Sequence, residues 1–347
     1  MDASEGGAVG GAEAPDDTAR DEIDVRLLAD RDAPGLKACL ERCYGDGYPK
    51  RVLYEPEKTA ALIRSKRFVG VVAVSEDVVV GHIGYSRTSP DSLVVEAGTT
   101  IVDPGSRGLG LVGRMSDRLG QQMVAEGVQG VVQFPTTAHQ VMQKAATIGG
   151  RETGILLAYI PGTALRTAGA GTEADRVAVT VVYQAARETG PQRIFTPERY
   201  TARVEALAAS ISLRREIEAG RESAGASELD ISSDEARSLT LITVRRAGID
   251  LIPRVVERST RPAAGVVHVD LSMADPGIGG AVEALRELGF VYAAWLPGWQ
   301  GHDVLRMQLI RNPTDRELSP NLFTREAREL LASIRAELAE VRRQRTG

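Results

Sequence analysis

Ile101-Val102-Asp103-Pro104-Gly105-Ser106-Arg107-Gly108-Leu109-Gly110-Leu111-Val112-Gly113-Arg114 is the stretch on which the fold turns. A β-branched run, Val94–Val102, leads into it, and an amphipathic helical pattern, Leu111–Glu126, leads out. A glycine-rich turn from strand into helix favours phosphate. The first helical amides have no partner inside the helix, and the helix dipole adds partial positive charge at the same place. Gly108 and Gly110 let an anion approach the backbone with no Cβ in the way.

Working outward, the neighbours of these glycines discriminate among phosphate loops. A Walker loop continues with Lys-Ser/Thr, whereas Gly110 is followed by Leu111-Val112. Gly108-Leu109-Gly110-Leu111-Val112-Gly113 fits the GxGxxG string of dinucleotide folds. The acidic ribose partner of that string, about 20 residues further on, would fall near Gln133, where no carboxylate stands. Upstream, Phe68–Ser75 and Val78–Ser86 are β-branched runs joined by Glu76-Asp77, a tight antiparallel hairpin, so the loop does not open a βαβ unit. Before the hairpin the pattern predicts a strand (Ile23–Leu28), a helix from its cap Asp32 through Cys43, a loop (Tyr44–Lys50) and a helix (Pro56–Ser65). Beyond the loop's own helix it predicts a strand (Val128–Phe134), a helix (His139–Ile148) and a strand (Thr153–Ile160) ending at Pro161.

Val-Asp-Pro-x-x-Arg107-Gly108-x-Gly110 in this order of elements resembles the GNAT acetyltransferase superfamily, whose loop reads Gln/Arg-x-x-Gly-x-Gly/Ala. The resemblance covers Ile23–Pro161. With Arg107 leading, Val112 takes the last position; with Gly105 leading, Gly108 and Gly110 are kept and the leading Gln/Arg is lost. The resemblance implies acetyl-CoA or another acyl-CoA as co-substrate, no metal, and a pyrophosphate site on Val102, Arg107, Gly108, Leu109, Gly110, Leu111 and Val112. It also implies a bulge in the fourth strand, beyond which that strand parts from the fifth and admits the pantetheine arm. Gly98, inside Val94–Val102, suits such a bulge. Glu96 stands where members of the family often carry a catalytic glutamate; its bland alternative is an ion-paired strand residue. The position of the family's proton-donating tyrosine is Ala145, four residues before Gly149-Gly150.

Acyl transfer to an amine needs a neutral amine, a donor to the carbonyl oxygen and a proton for the leaving thiolate. His139, opening its helix, would be kept neutral by the helix N-terminus and is the second catalytic candidate, against a capping or surface role. Tyr44, Tyr48 and Tyr159 are alternative donors by location. Cys39 and Cys43 share a helix face and suit a reducing cytoplasm, with Cys39 read as a buried thiol. His82 reads as structural, His268 and His302 are isolated, and no cluster has metal-ligand spacing.

A chain of 347 residues exceeds a single core and suggests two domains. At 43% hydrophobic and 26% charged, both halves can bury one. In the second half Val266–Leu271, Ala281–Leu288, Gly289-Phe290 and Val291–Leu296 echo Val131–Phe134, the His139 helix, Gly149-Gly150 and Ile155–Ile160. No loop of the first kind precedes Val266, and the tyrosine position there is Leu285, so this repeat is expected to have lost CoA and to serve structure or the acceptor pocket.

The expected fold is α/β with a mixed sheet: two GNAT-like domains in tandem plus a C-terminal helix. Residues 1–22 form a disordered leader, 23–161 the acyl-CoA-binding domain, 162–175 a linker, 176–312 the degenerate repeat, and 313–347 the helical end. Within the second half, Val177–Tyr183 reads as its first strand and the charged segment up to Ala226 as helical or flexible. The helix capped by Thr324 presents Leu330, Leu331, Ile334, Leu338 and Val341 to a domain or to a second subunit in a homodimer. A net charge of −5 argues against nucleic acid or membrane as partner. The expected protein is a cytoplasmic N-acyltransferase acting on a small amine or protein amine by direct attack. The alternative is a noncatalytic acyl-CoA-binding sensor or scaffold, motivated by Ala145 and the degenerate repeat.

Overall fold

The computed structural model describes residues 23–48, 50–162, 176–235, 237–259 and 265–346; the expected leader and the 163–175 part of the expected linker lie outside the described residues. The first elements follow the sequence pattern: β1 (Asp24–Leu27), α1 (Ala33–Tyr44), α2 (Pro56–Arg64), β2 (Phe68–Ser75), β3 (Val78–Ser86), β4 (Val94–Val102), α3 (Leu111–Ala125), β5 (Gly130–Gln133), α4 (Val141–Ala146) and β6 (Arg151–Pro161). Glu76 and Asp77 take φ of 47° and 63°, the left-handed pair that matches hairpin twist. Asp32 precedes α1 without capping it: its carboxylate accepts from Arg26 at 2.6 and 2.8 Å and from the amide of Ala29 at 2.8 Å. α1, through Leu36, Cys39 and Leu40, and the 3-10 turn before α2, through Leu53, cover one face of the sheet, and α3 covers the other through Leu111, Met115 and Leu119.

The next strand corrects the sequence grouping. β7 (Arg176–Ala185) does not begin a second sheet; it inserts between β5 and β6, antiparallel to both. A continuous apolar run marks a strand buried on both faces and carries no information about its neighbours. The remaining elements are β8 (Gln192–Thr196), α5 (Glu198–Ser210), β9 (Arg215–Ala219), β10 (Glu228–Asp234), β11 (Leu239–Arg246), α6 (Leu251–Ser259), β12 (Val266–Ser272), α7 (Ile278–Glu287), β13 (Val291–Leu296), β14 (Val304–Ile310) and α8 (Arg325–Thr346). β9 replaces part of the segment expected to be helical or flexible: Arg215-Glu216-Ile217-Glu218 has good helix formers, but it pairs in parallel with β8, and Arg215 is locked to the buried Asp303 at 2.7 Å. β14 was not anticipated, because Arg306 and Gln308 interrupt its apolar run; both are buried and bonded.

One sheet runs through the molecule in the order β1-β2-β3-β4-β5-β7-β6-β13-β14-β12-β11-β10. Outward from the β6–β13 seam, both halves show antiparallel, antiparallel, parallel and antiparallel neighbours in turn. Gly149 and Gly289, which follow α4 and α7, take φ of 79° and 96°. At the seam, Ala294 pairs with Gly154, where a Cβ would collide with the Cβ of Ala294 and the carbonyl of Ala293. Side chains continue the ladder there. Gln308 accepts from the amide of Leu157 at 2.9 Å and donates to the carbonyls of Ile155 and Tyr292 at 3.0 Å, while the Tyr292 hydroxyl donates to the Thr153 carbonyl at 2.6 Å. Buried polar groups must be paired, and these are.

α8 crosses this seam. Thr324 caps it by accepting from the Ala327 amide at 3.0 Å, and Ala327, Leu331, Ile334, Leu338 and Val341 are buried in the core shared by both halves. Its Glu337 accepts from Tyr200 and Arg286. The apolar face expected to meet a domain or a second subunit is therefore covered within this chain. No helix among the described residues is long and apolar enough to cross a membrane.

Candidate active site

The glycine loop is held at its entry and open at its exit. Arg42 pairs with Asp103, which keeps that carboxyl below its ordinary range, and Asp103 in turn accepts from the Gly105 amide at 3.1 Å. Gly108 and Gly110 have φ of 84° and 71°, a conformation that costs other residues about 1 kcal/mol or more. Gly110 is the N-cap of α3, and Arg114 is the first residue whose amide bonds back, to Gly110 at 3.3 Å. Among the described residues, no protein acceptor takes the amides of Gly108 to Gly113. Of the residues expected to bind cofactor, Arg107, Gly108 and Gly110 are exposed and Val102 closes β4 beside them. The side chain of Leu111 is buried in the core under α3, so its backbone alone is available.

Below the loop, β4 leaves β5. Their parallel ladder runs from Val94 opposite Gly130 to Glu96 opposite Val132, after which β5 continues against β7. The cause lies on the other side of β4. The β3–β4 register shifts between His82 and Gly84, and Thr99, next to the expected bulge residue Gly98, has a φ of 60°. His82, fully buried, fixes this bulge: its Nδ1 lies 2.8 Å from the Thr99 carbonyl, and burial lowers its pKa to about 4, so the ring is neutral. The residue read as structural in the sequence thus holds open the gap at whose head the loop amides stand.

Glu96, the last residue of β4 paired with β5, lies at the base of the gap. Its carboxylate is 2.7 Å from Lys50 Nζ, and the two side chains keep 28% and 24% exposure. Burial acts to raise the Glu96 carboxyl, but the charge and hydrogen bond of Lys50, with Arg237 and Arg306 behind it, hold it below its ordinary range. Both groups are thus desolvated yet still part-exposed. Tyr48, one turn of loop away, is pushed up by burial and remains a phenol. Arg237 and His268 of the second half meet Tyr159 of the first: Arg237 donates to the Tyr159 hydroxyl at 3.2 Å, and His268 and Phe134 stack on the Tyr159 ring at 5.7 and 6.5 Å.

His139 does not open α4; it stands in the loop after β5, two residues ahead of Val141, with Nδ1 buried and without a protein partner. Ala145 is exposed on α4 and offers no proton. The Tyr44 ring packs against that of Tyr48 at 5.2 Å, tilted by 46°. Cys39 is buried and its thiol pushed up to about 12 by that burial, as an inert core cysteine should be. Lys50 and Arg237 were missed in the sequence; both come from loops, where no periodicity marks them.

The matching junction of the second half, β11 to α6, is closed in both respects. The β11–β12 ladder continues from Leu239 opposite Val266 to Val244 opposite Leu271. The amides of Ala247, Gly248 and Ile249 donate to the Asp275 carboxylate at 2.6 Å, the Ser227 hydroxyl at 2.9 Å and the Gly225 carbonyl at 3.0 Å. A Cβ on Gly248 would collide with residues 225–227, which fill the place of a ligand.

No protein-family model matches the chain, and no curated protein matches it in sequence. Among solved structures, many are similar to it. The ribosomal-protein-S5-alanine acetyltransferase from Vibrio fischeri shares 16% identity at a TM-score of 0.38, covering 49% of this chain and 96% of that one. An acetyltransferase of the GNAT family from Staphylococcus aureus Mu50 shares 15% at 0.35, covering 48% and 99%. The PaiA N-acetyltransferase from Thermoplasma acidophilum, in complex with coenzyme A, shares 12% at 0.33, covering 47% and 98%. Each of these likenesses covers about half of this chain.

Proposed function

We propose that the protein is an acyl-CoA-dependent N-acyltransferase, most simply an acetyltransferase, which transfers its acyl group by direct attack of a bound amine. The observation that carries this is the row of acceptor-free amides from Gly108 to Gly113 at the head of the β4–β5 gap. Five or six preorganised N–H groups and a helix N-terminus suit a pyrophosphate, and the gap suits an extended pantetheine chain, whose amides find the unpaired edge of β4. In the second half both features are absent among the described residues, which supports a single site per chain and a degenerate repeat.

The thioester would then lie near Glu96. Positive charge from Lys50 and Arg237 around Glu96 favours the neutral, attacking form of an amine, and Glu96 accepts the proton it sheds, directly or through water. Edge amides of β4 stabilise the carbonyl oxygen as the C–N bond forms. As the C–S bond breaks, the Tyr48 phenol returns a proton to the thiolate in the role for which Ala145 is unfit. His139 is a second proton-transfer candidate. Glu96→Gln should lower kcat by about 10² to 10⁴-fold while leaving acetyl-CoA affinity unchanged; full turnover in that variant would remove Glu96 from the chemistry. A protein that binds acetyl-CoA but consumes it with no amine would instead be a sensor.

A further inference from the structure

The part-exposed cluster around Glu96 has a charge pattern that selects among amines. The charges that act most strongly on Glu96 are positive: Lys50 at 2.7 Å, with Arg237 and Arg306 beyond it. They are not equivalent. Arg306 is buried and fully engaged, with Nε and Nη2 on Asp270 at 2.6 and 2.8 Å. Lys50 is held by Glu96 and, at 3.4 Å, by the Ser86 hydroxyl. Arg237 has weaker company: one donor on the Tyr159 hydroxyl at 3.2 Å, its plane over the Tyr159 ring at 5.5 Å, and Nε 3.4 Å from Asp234, whose side chain is 42% exposed.

A cationic amine reaching this cluster would meet Glu96 already neutralised and a surplus of positive charge. An amine that also carries an oxyanion would meet no such barrier, because its two charges replace the Lys50–Glu96 pair with two pairs and bury no net charge.

We propose that the acceptor is an amine bearing an oxyanion, carboxylate or phosphate, close to its amino nitrogen, and that Arg237 together with Lys50 binds this oxyanion while Glu96 faces the amine. The second half thereby has a task in the first half's chemistry, since it supplies Arg237 to a site whose loop it does not share. This deepens the acyltransferase reading and rests on it.

The test uses the full chain, acetyl-CoA and matched amines: phenylalanine against 2-phenylethylamine, lysine against cadaverine, and O-phosphoethanolamine against ethanolamine, with release of free CoA thiol as readout. At least one oxyanion-bearing amine should exceed its partner in kcat/KM by about ten- to a hundred-fold, the worth of one charge-assisted hydrogen-bond pair. The pair in which it does so separates carboxylate from phosphate. Arg237→Gln should remove that preference through KM, and Arg237→Lys should restore part of it, with an unchanged acetyl-CoA isotherm showing that the fold is intact. Turnover confined to amines without an oxyanion, no turnover of any oxyanion-bearing member, or a preference that survives Arg237→Gln overturns the proposal. If acetyl-CoA itself does not bind, the acyltransferase reading fails before the acceptor is in question.

Discussion

Two strand–loop–helix junctions in one sheet, β4 to α3 and β11 to α6, do opposite things with their backbone. The first leaves the amides of Gly108 to Gly113 with no acceptor among the described residues and lets its strand part from the neighbour after Glu96. The second gives its amides to Asp275, Ser227 and Gly225 and keeps its parallel ladder closed to Val244. A mirrored order of strands is therefore not enough to carry a site. What matters is whether the loop runs clear of the chain's own acceptors, and whether something bends the strand. In the first half a long Asp103–Gly110 loop and the His82-held bulge do this; in the second, a short turn falls against residues 225–227.

The comparison breaks most severely at the seam. Gly154→Val places side-chain atoms against Ala293 and Ala294, and overpacking of this kind should cost about 3 kcal/mol in urea unfolding. An unchanged midpoint would mean that the two halves do not depend on this close approach.

The two halves each bury one histidine, His82 and His268, and both have lowered pKa values, chiefly from burial; His268 also faces Arg306 and Arg176. For His82 the folded value is about 4 against 6.5 unfolded, so the unfolded chain binds the extra proton between those limits and stability falls as pH drops from 6.5 towards 4. The predicted contribution is about 1.4 kcal/mol per pH unit for each histidine. His82→Gln should flatten the acid limb by that slope, and it should also weaken acetyl-CoA binding because the bulge loses its anchor. His268→Gln should also flatten the acid limb, without touching CoA affinity.

The smallest effect tests the plug. Ser227→Ala removes the acceptor of the Gly248 amide and should cost about 1 kcal/mol by thermal denaturation. It should not create a second CoA site, because residues 225–227 still fill the space. A second binding event in this variant would show that one hydroxyl closes the loop.

Much of the first half was legible because its signals are local. The Glu76-Asp77 turn, the helix periods and the glycines at positive φ are written within a few residues of where they act. Gly98 pointed to the bulge one residue early, since Thr99 rather than the glycine takes the left-handed conformation. What was not legible is long-range. Nothing in Arg176–Ala185 states that it slips between β5 and β6, and Arg306 and Gln308 disguised a central strand because their partners, Asp270, Ile155 and Leu157, are distant in sequence. An ion-paired strand residue is the bland alternative that the sequence allows for Glu96, and its contact with Lys50, a partner that no periodicity marks, fits that alternative, while the catalytic role belongs to the proposed chemistry.

The most direct test is an isothermal titration of the full chain with acetyl-CoA, repeated on Gly108→Asp/Gly110→Asp. Wild type should bind one equivalent per chain, and the folded variant should lose at least about a hundredfold in affinity, because two carboxylates would face the pyrophosphate from strained positions. Two equivalents per chain, or a variant that binds like wild type, would contradict the assignment of the open junction as the sole cradle, and no binding at all would remove acyl-CoA from the account.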